Sequence, residues 1–118
     1  MARTVLVIDD SAAFRASART LLRARGYDVV GVAADATSGL AAARELRPDG
    51  VLLDVNLPDG DGLSVAAELT ADGAAPAIVL VSTLDASAIG DVQASGARGF
   101  VPKSELASPR LVELLGPP

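Results

Sequence analysis

The chain has no cysteine, no histidine and no tryptophan, and Lys103 is its only lysine. Without cysteine it can form neither a disulfide nor a thiolate metal site. Without histidine as well, zinc enzymes, Ser-His-Asp hydrolases and papain-type chemistry are excluded together. The aromatics are Phe14, Tyr27 and Phe100 alone, too few for a platform that stacks bases or sugars. Net charge is −5, the opposite of the basic footprint of a nucleic-acid surface, so direct nucleic-acid binding is not expected. No apolar run approaches the ~20 residues that span a bilayer. Met1-Ala2-Arg3 leads straight into a strand-like run, which leaves no room for the apolar region of a signal peptide. The expectation is a cytoplasmic, soluble protein away from membranes.

What is present is a chain of 118 residues, half of them apolar, which suits a single domain over 1–118. Gly116-Pro117-Pro118 reads either as a terminus or as the start of a linker. Strand-like and helix-like segments alternate five times. Residues 4–8 form a short continuous apolar run, the pattern of a strand buried on both faces. Residues 11–25 carry Phe14, Ala18, Leu21 and Leu22 at helical spacing, with Gly26 as a stop. A second strand is predicted over 27–32, and a second helix capped by Asp35 or Thr37 with Ala36, Leu40 and Ala43 inward. Pro48-Asp49-Gly50 is a turn before a third strand at 51–54. Residues 55–61 read as a polar loop ahead of a helix at 63–69. The fourth and fifth strands fall at 77–82 and 99–101, with a weak helix between them at 86–94. The last helix is framed by Ser108 as N-cap, Pro109 at its first position and Gly116 past its end.

This alternation predicts an α/β fold, a doubly wound five-stranded parallel sheet with helices on both faces. Five such units in this length point to the flavodoxin-like order 2-1-3-4-5. Pro102 agrees, because the fifth strand is then an edge, where a missing N–H is tolerated. Ligands in such folds bind outside the carboxyl ends of the strands, beside the first strand.

Five polar residues converge there. Asp9 and Asp10 follow the first strand, Asp54 ends the third, Ser82 ends the fourth, and Lys103 lies just past the fifth. Singly, each has an ordinary explanation: a turn or cap for the acid pair, an Asx turn for Asp54, a helix cap for Ser82, a solvated charge for Lys103. Together they do not, since three crowded carboxylates repel unless a cation neutralises them. Oxygen donors without nitrogen or sulfur favour a hard divalent ion such as Mg²⁺. A carboxylate beside such an ion can attack a phosphoryl group and become an acyl phosphate, while the metal and an ammonium stabilise the transferring oxygens.

The acid pair Asp9-Asp10, the run Asp54-Val-Asn-Leu-Pro-Asp-Gly-Asp-Gly, Ser82, and Gly96-Ala-Arg-Gly-Phe-Val-Pro-Lys103 resemble, in order and spacing, the receiver domains of bacterial response regulators. The resemblance, to the chemotaxis-type receiver fold of two-component signalling, covers essentially the whole chain. It implies Asp54 as phosphoacceptor, taking a phosphoryl group from a phosphohistidine donor with Mg²⁺. Asp10, Asp54 and the backbone carbonyl of Asn56 would ligate the metal directly, and Asp9 would act on it through water. Ser82 and Lys103 would contact the phosphoryl oxygens, and Ser82 with Phe100 would form the switch. The implied partners are a sensor histidine kinase or histidine phosphotransfer protein and a downstream effector. The implied role is that of a signalling phosphoacceptor rather than an enzyme, with self-phosphorylation from small donors and autodephosphorylation. The switching surface would be the fourth helix, the fifth strand and the fifth helix. That fourth helix is expected to be the loosest element, with Gly90 in its middle.

The sequence departs from the family in places. Thr83 stands where a smaller alanine is usual, which narrows access to the phosphate, and Ser104 rather than proline follows Lys103. The last helix is short, which puts dimerisation through that face in doubt. Three other readings stay open. A phosphatase of the haloacid dehalogenase type would need a second aspartate where Asn56 stands. A small flavodoxin would need a phosphate-cradling loop where Asp9-Asp10 stands. The third is a receiver that has lost phosphorylation and acts only through protein contacts.

Overall fold

Residues 5–8, 51–53 and 78–81 are fully buried, as strands covered on both faces must be. They lie in β1 (Thr4–Ile8), β3 (Gly50–Asp54) and β6 (Ala77–Ser82), joined by β2 (Asp28–Ala33) and β7 (Gly99–Pro102). The computed structural model describes residues 2–73, 76–83 and 90–118. The five strands are parallel, in the order β2-β1-β3-β6-β7. With the small hairpin β4 (Asn56–Leu57) and β5 (Gly60–Asp61) set aside, this is the expected flavodoxin-like order 2-1-3-4-5. Pro102 ends the edge strand β7 opposite Ser82, where the ladder loses little by its missing N–H.

Successive strand residues point to opposite faces, and the core divides accordingly. Leu6, Ile8, Val51, Leu53, Ile78, Leu80 and Phe100 cluster with Ala36 and Ala43 of α2 (Ala36–Leu46) and Val65, Ala66 and Leu69 of α3 (Gly62–Ala71). Val5, Val7, Leu52, Val79, Val81 and Val101 cluster with Ala18 and Leu22 of α1 (Ala12–Ala24) and Leu111 and Leu115 of α4 (Pro109–Leu115). Each fully buried leucine contributes about 1.5–3 kcal/mol. These two layers hold the sheet as a rigid platform for the residues at its ends.

The caps follow from side chains short enough to reach back to the first turn. Ser11 Oγ accepts from the Phe14 N–H at 3.2 Å, and Asp61 Oδ1 accepts from the Ser64 N–H at 2.8 Å. Asp35, not Thr37, caps α2, accepting from the Ser38 N–H at 2.8 Å. Pro109 opens α4 and Gly116 closes it, but the Ser108 side chain makes no capping hydrogen bond.

Two expectations are corrected. The stretch 55–61 is not merely a polar loop: Asn56 pairs with Asp61 and Leu57 with Gly60 across a tight antiparallel hairpin. The helix expected over 86–94 is not found in its described part. Residues 84–89 lie outside the described residues, and 92–96 form turns instead. Gly90 has φ +101°, a left-handed conformation that ends any helix, and the Asp91 carboxylate takes the Ala94 N–H at 3.0 Å.

Candidate functional site

β1, β3 and β6 release their chains at the same rim, and the hydrogen-bonding register decides what each delivers there. The Asp9 N–H still donates to the Ala33 carbonyl at 3.0 Å, so Asp9 is held at the very end of the sheet. Its side chain is fully buried, whereas Asp10 is exposed. Asp54 is buried as the last residue of β3, and Ser82 is buried as the last residue of β6. Asp9, Asp10 and Asp54 each offer a carboxylate oxygen within 4.8 Å of the others.

Lys103 begins a short 3₁₀ turn (Lys103–Glu105) after β7 and reaches back into this cluster. Its Nζ stands 2.7 Å from Asp9 Oδ2 and 3.4 Å from Asp54 Oδ2. The other oxygens are held by backbone: Asp9 Oδ1 accepts from the Ser11 N–H at 2.8 Å, and Asp54 Oδ1 from the Asn56 N–H at 3.1 Å. Among the described residues the Lys103 ammonium, 2.7 Å away, is the one polar group set against Asp9 Oδ2. A buried carboxylate oxygen with capacity to spare, beside two further carboxylates, fits a hard cation such as Mg²⁺.

The ionisation behaviour follows from this crowding. Loss of water on burial pushes the Asp54 carboxyl above its ordinary range; the Asn56 N–H opposes this, the Asp9 charge adds to it, and Lys103 pulls it down. The lysine does not win, because Asp54 is both buried and beside a second carboxylate. Burial on its own would depress Lys103, but contact with Asp9 and the charges of Asp54 and Asp9 outweigh it and hold the ammonium above its usual value. Asp54 is thereby held more basic than a free carboxylate, next to a cation that stays charged.

Phe100 is buried on β7 among the residues packed on the α2 and α3 side. Asn56 is exposed at the start of the hairpin. The structure therefore clusters the Asp9, Asp10 and Asp54 carboxylates and sets Lys103 against Asp9 and Asp54, with Ser82 at the same rim and Phe100 two residues behind it on the neighbouring strand.

Other residues shape the site without having been singled out from the sequence. Phe14 lies with its ring 4.4 Å from Lys103 Nζ, and Arg15 donates to the Asp9 carbonyl at 2.7 Å. Asp59, at the hairpin tip, accepts from the Ala36 N–H at 2.6 Å and the Thr37 hydroxyl at 2.7 Å, tying the loop after Asp54 to the start of α2. Gly62 donates to the Val55 carbonyl at 2.7 Å, and any Cβ there would collide with the Asp54 carbonyl oxygen. The doubled Asp-Gly of 59–62 was the available signal for the last two; nothing local pairs Phe14 with Lys103.

The description "Response regulator receiver domain" matches residues 5–115. The DNA-binding response regulator MtrA of Mycobacterium tuberculosis is 38% identical over 103 residues, which cover 87% of this chain and 45% of that protein. A protein-glutamate methylesterase/protein-glutamine glutaminase of Myxococcus xanthus is 40% identical over 116 residues, covering 95% of this chain and 33% of that protein. The chain thus spans less than half the length of these curated relatives. Among solved structures, the signal receiver domain of the NarL response regulator from Mycobacterium tuberculosis superposes with a TM-score of 0.86 at 30% identity, covering 98% of each chain. The response regulator domain of Thermotoga maritima CheB gives 0.84 at 26% identity, covering 96% of this chain and 92% of that one. Taken with the acid cluster at the strand ends, these likenesses make the chain a member of the response regulator receiver domain family of two-component signalling.

Proposed function

We propose that this receiver domain, as a single unit over 1–118, is switched by a phosphoryl group carried on Asp54. The observation that supports this most is the juxtaposition of three carboxylates, with oxygens within 4.8 Å of one another, and the chain's only lysine inserted between Asp9 and Asp54. In the reaction, an Asp54 carboxylate oxygen attacks phosphorus; an O–P bond forms as the P–N bond of a phosphohistidine donor breaks. The imidazole leaves with the electron pair and takes a proton from solvent. Lys103 faces the oxygens that gather charge, and the Ser82 hydroxyl donates a hydrogen bond to the new phosphoryl group.

Asp10, Asp54 and the Asn56 carbonyl would hold Mg²⁺ directly, and Asp9 through water; exposure of Asp10 and engagement of Asp9 by Ser11 and Lys103 favour that division. The ion supplies charge neutralisation on the transferring oxygens. Ser82 and Phe100 are the switch pair, and the phosphoryl signal passes to the surface beyond β6, including β7 and α4. The donor is a sensor histidine kinase or histidine phosphotransfer protein in the cytoplasm, the reader is an effector domain or protein, and the domain itself turns over no substrate beyond its own acyl phosphate. No helix among the described residues is long and apolar enough to cross a membrane.

With Mg²⁺ and acetyl phosphate, the protein should gain one base-labile phosphoryl group, and Asp54→Asn should gain none. A phosphoryl group on another residue of Asp54→Asn would overturn the assignment.

A further inference from the structure

We propose that Phe14 is a positioning residue of this site, its ring holding the Lys103 ammonium in place between Asp9 and Asp54. The inference rests on the reading of Asp54 as phosphoacceptor. Lysine has a long flexible stem and a compact charge, so its ammonium rests wherever its contacts place it. Three contacts do so here: Asp9 Oδ2 at 2.7 Å, Asp54 Oδ2 at 3.4 Å, and the Phe14 ring centroid at 4.4 Å, within reach of a cation–π attraction. The two carboxylates are the groups that a divalent cation or a phosphoryl group would engage. The ring competes for neither, so it is the contact that can persist when the carboxylates are otherwise occupied.

Phe14 is itself fixed through the same residues. Asp9 Oδ1 accepts from the Ser11 N–H at 2.8 Å, and Ser11 Oγ accepts from the Phe14 N–H at 3.2 Å. The Phe14 ring faces Lys103, and Lys103 returns to Asp9. The contacts form a closed ring, and Arg15 fastens it by donating to the Asp9 carbonyl at 2.7 Å. The first turn of α1 thus sets at once where the buried carboxylate and the ammonium stand. Phe14 is only partly buried, packed on the edge of the α1 and α4 core, so an aliphatic replacement can keep the packing and remove only the ring face.

Because Lys103 is the only lysine, lysine-selective isotope labelling gives one unambiguous set of NMR signals. The ε-methylene protons of Lys103 should be displaced upfield by the ring in the wild type and in Phe14→Tyr. That displacement should vanish in Phe14→Leu and in Phe14→Met. In the same variants, phosphorylation of Asp54 by acetyl phosphate at fixed Mg²⁺ should slow about three- to tenfold without the ring and recover with tyrosine. A merely structural role predicts no such pattern, and thermal unfolding identifies which aliphatic variant is folded for the comparison. Wild-type ε-methylene shifts in a folded Leu or Met variant, or a wild-type rate there, would overturn the proposal. Should the wild type never phosphorylate Asp54, the phosphoacceptor reading falls, and the donor-free NMR shifts alone decide whether the ring holds the lysine.

Discussion

Replacing Lys103 with methionine leaves a fully buried Asp9 carboxylate facing Asp54 without a counter-charge. At an effective dielectric of about 20, the separation of 2.7 Å corresponds to a gross attraction of about 6 kcal/mol to Asp9. The 3.4 Å separation corresponds to about 5 kcal/mol to Asp54. Desolvation of all three groups offsets much of this, and breaking buried pairs by removing one partner typically costs about 3–5 kcal/mol. The Lys103 side chain keeps 17% of its exposure while Asp9 keeps none, so solvent screening places the expected loss near the lower end, about 3 kcal/mol. For a domain of this size that is a fall of roughly 10 °C in melting temperature. Urea unfolding in the presence of a chelator should show the loss as a lower midpoint at constant slope. The sign of the double variant is the sharper check. Asp9→Asn in the Lys103→Met background removes the stranded charge and should recover most of the loss, a strong coupling for two residues in contact. A Lys103→Met protein within about 0.5 kcal/mol of wild type, or no recovery on adding Asp9→Asn, would refute the buried ion-pair argument.

Gly62→Ala should cost more than about 3 kcal/mol, because the new Cβ meets backbone at Asp54 rather than a yielding side chain, and calorimetry would measure it. Arg47 ends α2 with φ +48°, so Arg47→Gly should raise stability by about 0.5–1 kcal/mol in denaturant titration. Gly90→Ala should lower stability by about 1 kcal/mol, since φ +101° suits glycine alone; a stabilised variant would mean that the turn at Gly90 is not populated. The Asp49 carboxyl is held below its ordinary value of 3.8 by hydrogen bonds from the Thr4 N–H at 2.9 Å and hydroxyl at 3.1 Å. A depressed carboxylate stabilises the fold above its unfolded pKa and loses that contribution as pH falls through the folded one. The melting-temperature gap between wild type and Asp49→Asn should therefore be widest at neutral pH and close below about pH 3.8; a gap independent of pH would contradict the linkage.

The sheet was readable from residues because its signal is local. Runs such as Val5-Leu6-Val7-Ile8 admit little but a strand covered on both sides, and Ser11, Gly26, Asp35 and Pro109 mark helix ends by chemistry confined to a turn. The strand order followed from the number and spacing of βα units, and with it the meeting of Asp9, Asp10, Asp54, Ser82 and Lys103 at one rim. Where local signals were weak, the described residues depart from the reading. A weak helix was expected over 86–94, but a positive φ at Gly90 and the hydrogen bond that the Asp91 carboxylate accepts from the Ala94 N–H go with turns in its described part.

The sequence by itself determined which elements form, their order in the sheet and which polar residues share its carboxyl edge, because these depend on patterns within a few residues and on the handedness of βα connections. Only the tertiary structure decided that Asp9 is fully buried while its neighbour Asp10 is exposed, since one residue's shift along a strand end exchanges core for solvent. It alone decided that Lys103, 94 positions after Asp9, lies between two carboxylates with Phe14 against its charge. Asp59 likewise fastens the loop after Asp54 to α2 across 23 positions. Such contacts join side chains from separate elements, and their geometry is fixed by how the packed layers meet rather than by any local preference of the chain.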